Sequence, residues 1–96
     1  MASSIKPWFV YMLRCADNTL YTGVTTNVER RINEHNGLGA VDKGAKYTKP
    51  RRPVALVYTA ECVDRSEAGK AEAALRMLSK KEKQTLCQQY ALVHAT

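Results

Sequence analysis

The stretch Trp8–Cys15 reads WFVYMLRC, and after ADNT (Ala16–Thr19) a second β-prone stretch, LYTGVT (Leu20–Thr25), follows. The first run is short, aromatic and β-branched, which suits a buried strand. It falls far short of the ~20 apolar residues of a membrane span, and no signal peptide is visible, so the chain reads as soluble and cytoplasmic. Asp17 and Asn18 supply turn chemistry between the runs, which predicts an antiparallel hairpin. Its register stays open. A two-residue loop at Asp17-Asn18 puts Tyr11 and Tyr21 on opposite faces, and a three-residue loop Asp17–Thr19 puts them on the same face.

Beyond the hairpin, Thr26 and Glu29 are spaced as a capping box for a helix running to about Asn36, where Asn36-Gly37 provides a stop. Gly37–Pro53 is polar, basic and glycine-containing, and reads as a loop with one short helical turn around Ala40–Ala45. Val54–Ala60 has strand character through Leu56, Val57 and Tyr58. Asp64 and Glu67 then open a helix to about Leu78, and Ser79 and Glu82 open another to about Tyr90. The predicted order is β-β-α-β-α-α: an α/β domain in which helices flank a three-stranded antiparallel sheet. At 96 residues the chain is of single-domain size, residues 1–96, with a modest core.

Charge narrows the classes of function. Fifteen Lys and Arg against nine Asp and Glu give a net charge of +6, the balance of a nucleic-acid binder or simply of a soluble basic protein. Cys15, Cys62 and Cys87 are too few and too widely spaced for a disulfide framework or a zinc knuckle, and read as reduced apolar residues.

The first helix carries the most pointed anomaly. At ~100° per residue, Val28, Ile32 and His35 share one face, Arg31 falls beside them, and Arg30 points away. A charged group on a core-facing stripe is costly unless something compensates it. One such residue is ordinarily a snorkelling side chain; two on adjacent turns favour a site. In the next helix, Ala68, Ala71, Leu75 and Leu78 form a stripe with Glu72 at its border. On its own, Glu72 reads as a surface partner of Arg76. Lys43, Lys46, Lys49, Arg51 and Arg52 crowd the central loop, which by itself is a solvated basic segment.

Together these residues resemble a known family. Val10-Tyr11-Met12, ten positions ahead of Tyr21-Thr22-Gly23, resembles the paired tripeptides of the GIY-YIG endonuclease superfamily, and Arg31 stands ten positions after the second tyrosine. His35-Asn36, Gly44–Thr48 and Arg52-Pro53-Val54 are similar to its single-domain bacterial YhbQ-like branch. The likeness covers roughly Trp8–Leu86. Val24 stands where some members carry a lysine. The resemblance implies a metal-dependent DNA endonuclease with Tyr11, Tyr21, Arg31, His35 and Glu72 as catalytic residues, either tyrosine serving as general base. It implies one Mg²⁺ or Mn²⁺ on Glu72, with Gly23 allowing close approach. Lys46, Tyr47, Lys49, Arg51 and Arg52 would contact nucleic acid, and a protein partner would supply specificity. A cytoplasmic, nucleoid-associated role in DNA repair or recombination would follow. The other reading is a catalytically silent nucleic-acid-binding module acting with a partner.

Overall fold

The computed structural model describes residues 6–94. Strand β1 (Trp8–Arg14) lies between β2 (Leu20–Thr25) and β3 (Ala55–Cys62), both antiparallel to it. Helix α1 (Val28–His35) follows the hairpin, and α2 (Arg65–Arg76) and α3 (Lys80–His94) follow β3. The order and architecture are those read from the sequence. No helix among the described residues is long and apolar enough to cross a membrane.

The continuous apolarity of β1 follows from its central position, because both of its faces are covered. Val10 and Met12 enter a core with Ala68 and Leu75 of α2 and Cys87 of α3. Tyr11, Leu13 and Cys15 enter a second core with Val54, bordered by Tyr21, Ile32 and Leu56. The sheet thus separates α2 and α3 from α1 and the central loop. All three cysteines are buried and free.

The hairpin resolves the register. Leu13 pairs with Tyr21 and Tyr11 with Gly23, so the two tyrosines share the α1 face. The loop has three residues, shifted one position from the expected set to Ala16–Asn18. Cys15 N–H bonds to the Thr19 carbonyl (2.9 Å), and Asn18 adopts the left-handed conformation (φ 66°). Asn tolerates that conformation better than most side chains.

Three local expectations are corrected. The N-cap of α1 is Asn27, which accepts from Arg30 N–H (3.0 Å), and not Thr26. Asn27 N–H is itself held by Thr25 Oγ1, which settles the chain one residue later. The helical turn of the central loop is a 3-10 turn at Lys49–Arg51, where Pro50 suits a helix start, instead of at Ala40–Ala45. β3 and α3 run on to Cys62 and His94, beyond the Ala60 and Tyr90 expected, while α2 stops at Arg76, short of Leu78. The Ser79–Glu82 box forms in both directions, at 2.8 and 3.1 Å.

A two-turn helix such as α1 has little stability alone and is held by its C-terminal end. The Asn36 side chain bonds both the N–H and the carbonyl of Val54, at 2.7 and 3.1 Å. Arg52 Nε donates to the His35 carbonyl (2.6 Å) while its terminal nitrogens grip Asp42. A Cβ on Gly37 would come within 2.6 Å of the Arg52 guanidinium, and one on Gly44 would overlap it. Arg52 therefore fills a slot between two glycines and serves the fold; it is not a free cation on the loop.

Candidate active site

The centre of the α1 face is a chain of three buried polar groups. Tyr11, His35 and Thr48 are each 2% exposed or less. Tyr11 OH lies 2.8 Å from His35 Nε2, and His35 Nδ1 lies 2.8 Å from Thr48 Oγ1. The Ala45 carbonyl already accepts from the backbone N–H groups of Thr48 (3.1 Å) and Lys49 (3.0 Å), and the Thr48 hydroxyl has one proton for that carbonyl (3.1 Å) or for Nδ1 (2.8 Å). With the imidazole proton on Nδ1, Thr48 accepts from His35 and Tyr11 donates into the Nε2 lone pair; with the proton on Nε2, both directions reverse.

Electrostatics agree with this neutral chain. Burial, with the nearby charges of Arg31 and Arg52, pushes the His35 pKa down to about 4. Burial first, then Tyr21 and Glu72, push Tyr11 up to about 12 against the pull of Arg31. A free tyrosinate is disfavoured at Tyr11, yet with the imidazole proton on Nδ1 an acceptor for its proton is in contact.

The folded protein holds His35 neutral, whereas an unfolded chain protonates it near pH 6.5. Between about pH 6.5 and 4 the unfolded state therefore binds more protons, and this contribution to stability is lost as pH falls. Denaturant titrations of wild type and His35→Gln across that window are expected to converge, by about 3 kcal/mol at full effect. Thr48→Val, nearly isosteric, leaves Nδ1 unpaired and should cost about 1–3 kcal/mol. Imidazole ¹⁵N shifts should report Nδ1–H in wild type and a loss of that single tautomer in the variant.

Around this chain the other side chains assemble. Gly23 lies directly under Tyr11, where a Cβ would sit 2.5 Å from the hydroxyl and 2.7 Å from ring carbon Cζ. Tyr21 packs against His35 with centroids 5.0 Å apart, and Tyr47 stacks on Tyr21 at 5.9 Å. Arg31 projects from α1 beside Tyr11, braced by Glu34 (3.0 Å) and the Lys43 carbonyl (2.8 Å). Its side chain is 25% exposed and that of Arg30 57%, which separates the two arginines as the helix wheel does.

Glu72 comes from α2, which packs on β1 and β2. It is half-buried and its charge reaches Tyr11; Arg76 holds its Oε2 at 3.1 Å. Among the described residues no cluster of three or more His, Cys, Asp or Glu side chains is arranged to hold a metal. A single carboxylate is a hard, sparse donor. It suits Mg²⁺ or Mn²⁺, which retain most of their waters, and not zinc.

The basic loop divides. Arg51 bonds Asp17 (3.0 Å) and the Tyr47 carbonyl (2.8 Å), and its guanidinium lies 4.0 Å over the Tyr47 ring. Lys43, Lys46 and Lys49 stay exposed. Thr48 has no role in the sequence reading, although it lies within the quoted Gly44–Thr48 segment. The available signal was a threonine next to one tyrosine, too common a pattern to stand out.

A sequence model of the GIY-YIG catalytic domain matches residues 7–86. The chain belongs to the GIY-YIG family. UPF0213 protein DP2720 of Desulfotalea psychrophila is 60% identical over 79 residues, covering 82% of this chain and 69% of that protein. UPF0213 protein YhbQ of Escherichia coli K12 is 44% identical over 82 residues, covering 85% and 78%. Two solution structures are similar at 40% identity. The UPF0213 protein BH0048 from Bacillus halodurans has a TM-score of 0.53, with 86% of this chain and 84% of that one covered. The protein EF2693 from E. faecalis has a TM-score of 0.56, with 99% and 97% covered. In this GIY-YIG chain, the tyrosines of the two tripeptides lie on one sheet face with ring centroids 6.5 Å apart.

Proposed function

We propose that the protein is a metal-dependent DNA endonuclease that hydrolyses phosphodiester bonds at the Tyr11–His35–Arg31–Glu72 surface. The observation that carries this reading is the buried Tyr11–His35–Thr48 chain, in which the Nδ1–H tautomer of His35 would place a proton acceptor behind the phenol. Water attacking phosphorus must lose a proton. As its O–H bond breaks toward Tyr11 Oη, the Tyr11 proton passes to His35 Nε2, and the new P–O bond forms as the bond to the leaving oxygen breaks, its electron pair staying on that oxygen, which takes a proton from solvent. Both ring nitrogens of His35 then carry protons, with Nδ1–H still on Thr48. A bound phosphodiester offsets the Arg31 charge that depresses His35, so the imidazole becomes a better acceptor once substrate is seated.

Arg31 would bind two phosphate oxygens with its planar fork. Tyr21 packs against His35 and limits water around the relay. Glu72 would hold Mg²⁺ or Mn²⁺, whose chemistry is to neutralise phosphoryl charge and acidify water. Lys46 and Lys49 would meet flanking phosphates, while Arg51 and Tyr47 form a braced stack beside Tyr21. The family resemblance supports a role in DNA repair or recombination in the cytoplasm, with a protein partner supplying specificity.

The test is cleavage of supercoiled, branched and single-stranded DNA with and without Mg²⁺ or Mn²⁺. Wild type should cut only with metal, and Glu72→Ala should not cut. DNA binding with a steep salt slope but no cleavage would leave a silent binding module instead. Arg31→Ala should lose 10²-fold or more in rate, the usual cost of removing one transition-state donor, and Arg31→Lys most of that. Arg30→Ala should stay within about twofold, because its guanidinium is solvated. Equal losses from the two alanine variants would contradict the placement of Arg31.

A further inference from the structure

On the opposite face of the sheet, Arg14, Asp17, Asn18, Thr19 and Leu20 meet Lys80, Lys83 and Gln84 of α3 around a cleft of about 680 Å³. Three of these side chains are cationic, and among the described residues none of the three forms an ion pair. The one acid in the lining, Asp17, is already held by Arg51 and by Thr19 Oγ1 (2.6 Å). The cleft is therefore concave and positively charged, with no internal counter-charge for Arg14, Lys80 and Lys83. Such a surface concentrates anions.

Its position points to one anion in particular. β2 is an edge strand, and Leu20 lines the cleft while its neighbour Tyr21 faces the Tyr11–His35 chain. Adjacent Cα atoms are ~3.8 Å apart, so the two surfaces meet around the edge of the sheet at the start of β2. Between them the hairpin loop is fastened by Asp17 to Arg51, which lies over Tyr47. A polyanion leaving the tyrosine surface past Tyr47 can pass over this loop and into the cleft. From Tyr11 to Arg14 is roughly 10 Å of strand, and the path around the sheet edge is longer, so at ~3.4 Å of helix axis per charge it spans more than three phosphates of one DNA strand.

We propose that this cleft is a second nucleic-acid-binding site. Arg14, Lys80 and Lys83 grip the phosphate backbone of the same DNA that enters the catalytic face, a few nucleotides from the bond cut. The inference rests on the nuclease reading for its substrate but predicts a property that needs neither metal nor cleavage.

Lys80→Glu/Lys83→Glu tests it. Both positions lie in the first turn and a half of α3, where acidic side chains suit the helix dipole, so folding is preserved. Lys6→Glu/Lys70→Glu makes the same change in net charge away from the hairpin end of β1 and serves as the control. Binding of a labelled 20-base-pair duplex is measured in EDTA over a range of salt. The cleft variant should bind at least tenfold more weakly, with the slope of log K against log salt reduced by about two, near 0.9 per lost phosphate contact. The control pair should keep the wild-type slope. In cleavage assays KM should rise with kcat unchanged, because neither lysine lies at the tyrosine surface. An unchanged slope, or equal losses from both pairs, overturns the cleft. Cleavage that persists alongside an unchanged slope overturns the cleft alone, whereas the predicted slope change without any cleavage overturns the nuclease reading alone.

Discussion

Tyr11→Phe is expected to cut DNA 10²- to 10⁴-fold more slowly than wild type, the range supplied by one positioned acid–base group, with secondary structure and DNA binding retained. The substitution removes only the hydroxyl bonded to His35 Nε2 (2.8 Å), and the ring keeps its place over Gly23. His35 is left with Nε2 unpaired and with Nδ1 still bonded to Thr48, so the stability cost should stay near 1–2 kcal/mol. The discriminating comparison is Tyr21→Phe. Tyr21 touches His35 through its ring edge, and its variant should keep more activity than Tyr11→Phe when single-turnover rates are measured side by side. Equal rates for Tyr11→Phe and wild type would remove Tyr11 from the chemistry.

The second large effect is expected from the smallest substitution. In Gly23→Ala the new methyl would stand 2.5 Å from Tyr11 OH and 2.7 Å from Cζ. Tyr11 is 2% exposed, so either the ring or β2 must shift. Overpacking of this kind costs about 1–3 kcal/mol. A displacement near 1 Å at the phenol also breaks the alignment with His35, which can cost 10²-fold in rate. Cleavage should fall by at least that factor while denaturant midpoints drop. The two effects share one contact, so combining Gly23→Ala with Tyr11→Ala should be non-additive in stability by 0.5 kcal/mol or more. Strict additivity would show that the glycine serves some purpose other than seating Tyr11.

How far the site was legible before any coordinates depends on which interactions are local. The strands and helices were readable because apolar periodicity and capping residues act over a few positions; Ser79 and Glu82 are the clearest case, bonding as their spacing predicts. The inward face of α1 was readable for the same reason, and Arg31 and His35 came out of the wheel with the burial order the structure shows. The hairpin parity was not readable. It turns on Asp17: a two-residue type I′ loop needs Asp17 as well as Asn18 in the left-handed region, and of the two only Asn18 is there. The N-cap slipped from Thr26 to Asn27 because two capping-competent residues stand side by side, and the hydrogen bond from Asn27 N–H to Thr25 Oγ1 decides between them.

The central loop was the least legible part, since its order comes from distant partners. Its charges looked alike in sequence, yet Arg52 is tied to α1 and Asp42, Arg51 to the hairpin, and the lysines to neither. Thr48 matters only because folding brings it to a histidine 13 positions earlier in the chain. The Tyr11–His35 contact spans 24 positions and no local pattern encodes it. Only the family spacing brought these residues together in advance, without saying which atom faces which.

Metal-dependent hydrolysis at this surface is tested most directly by one assay. Purified wild type and Glu72→Ala, stripped with EDTA and returned to Mg²⁺ or Mn²⁺, would be incubated with supercoiled plasmid and with branched DNA. The nicked and linear products would then be quantified against time. Wild type should produce nicks only when metal is restored, and Glu72→Ala should match the metal-free background. Nicking by Glu72→Ala at the wild-type rate, or none by wild type on any substrate in either metal, would contradict it.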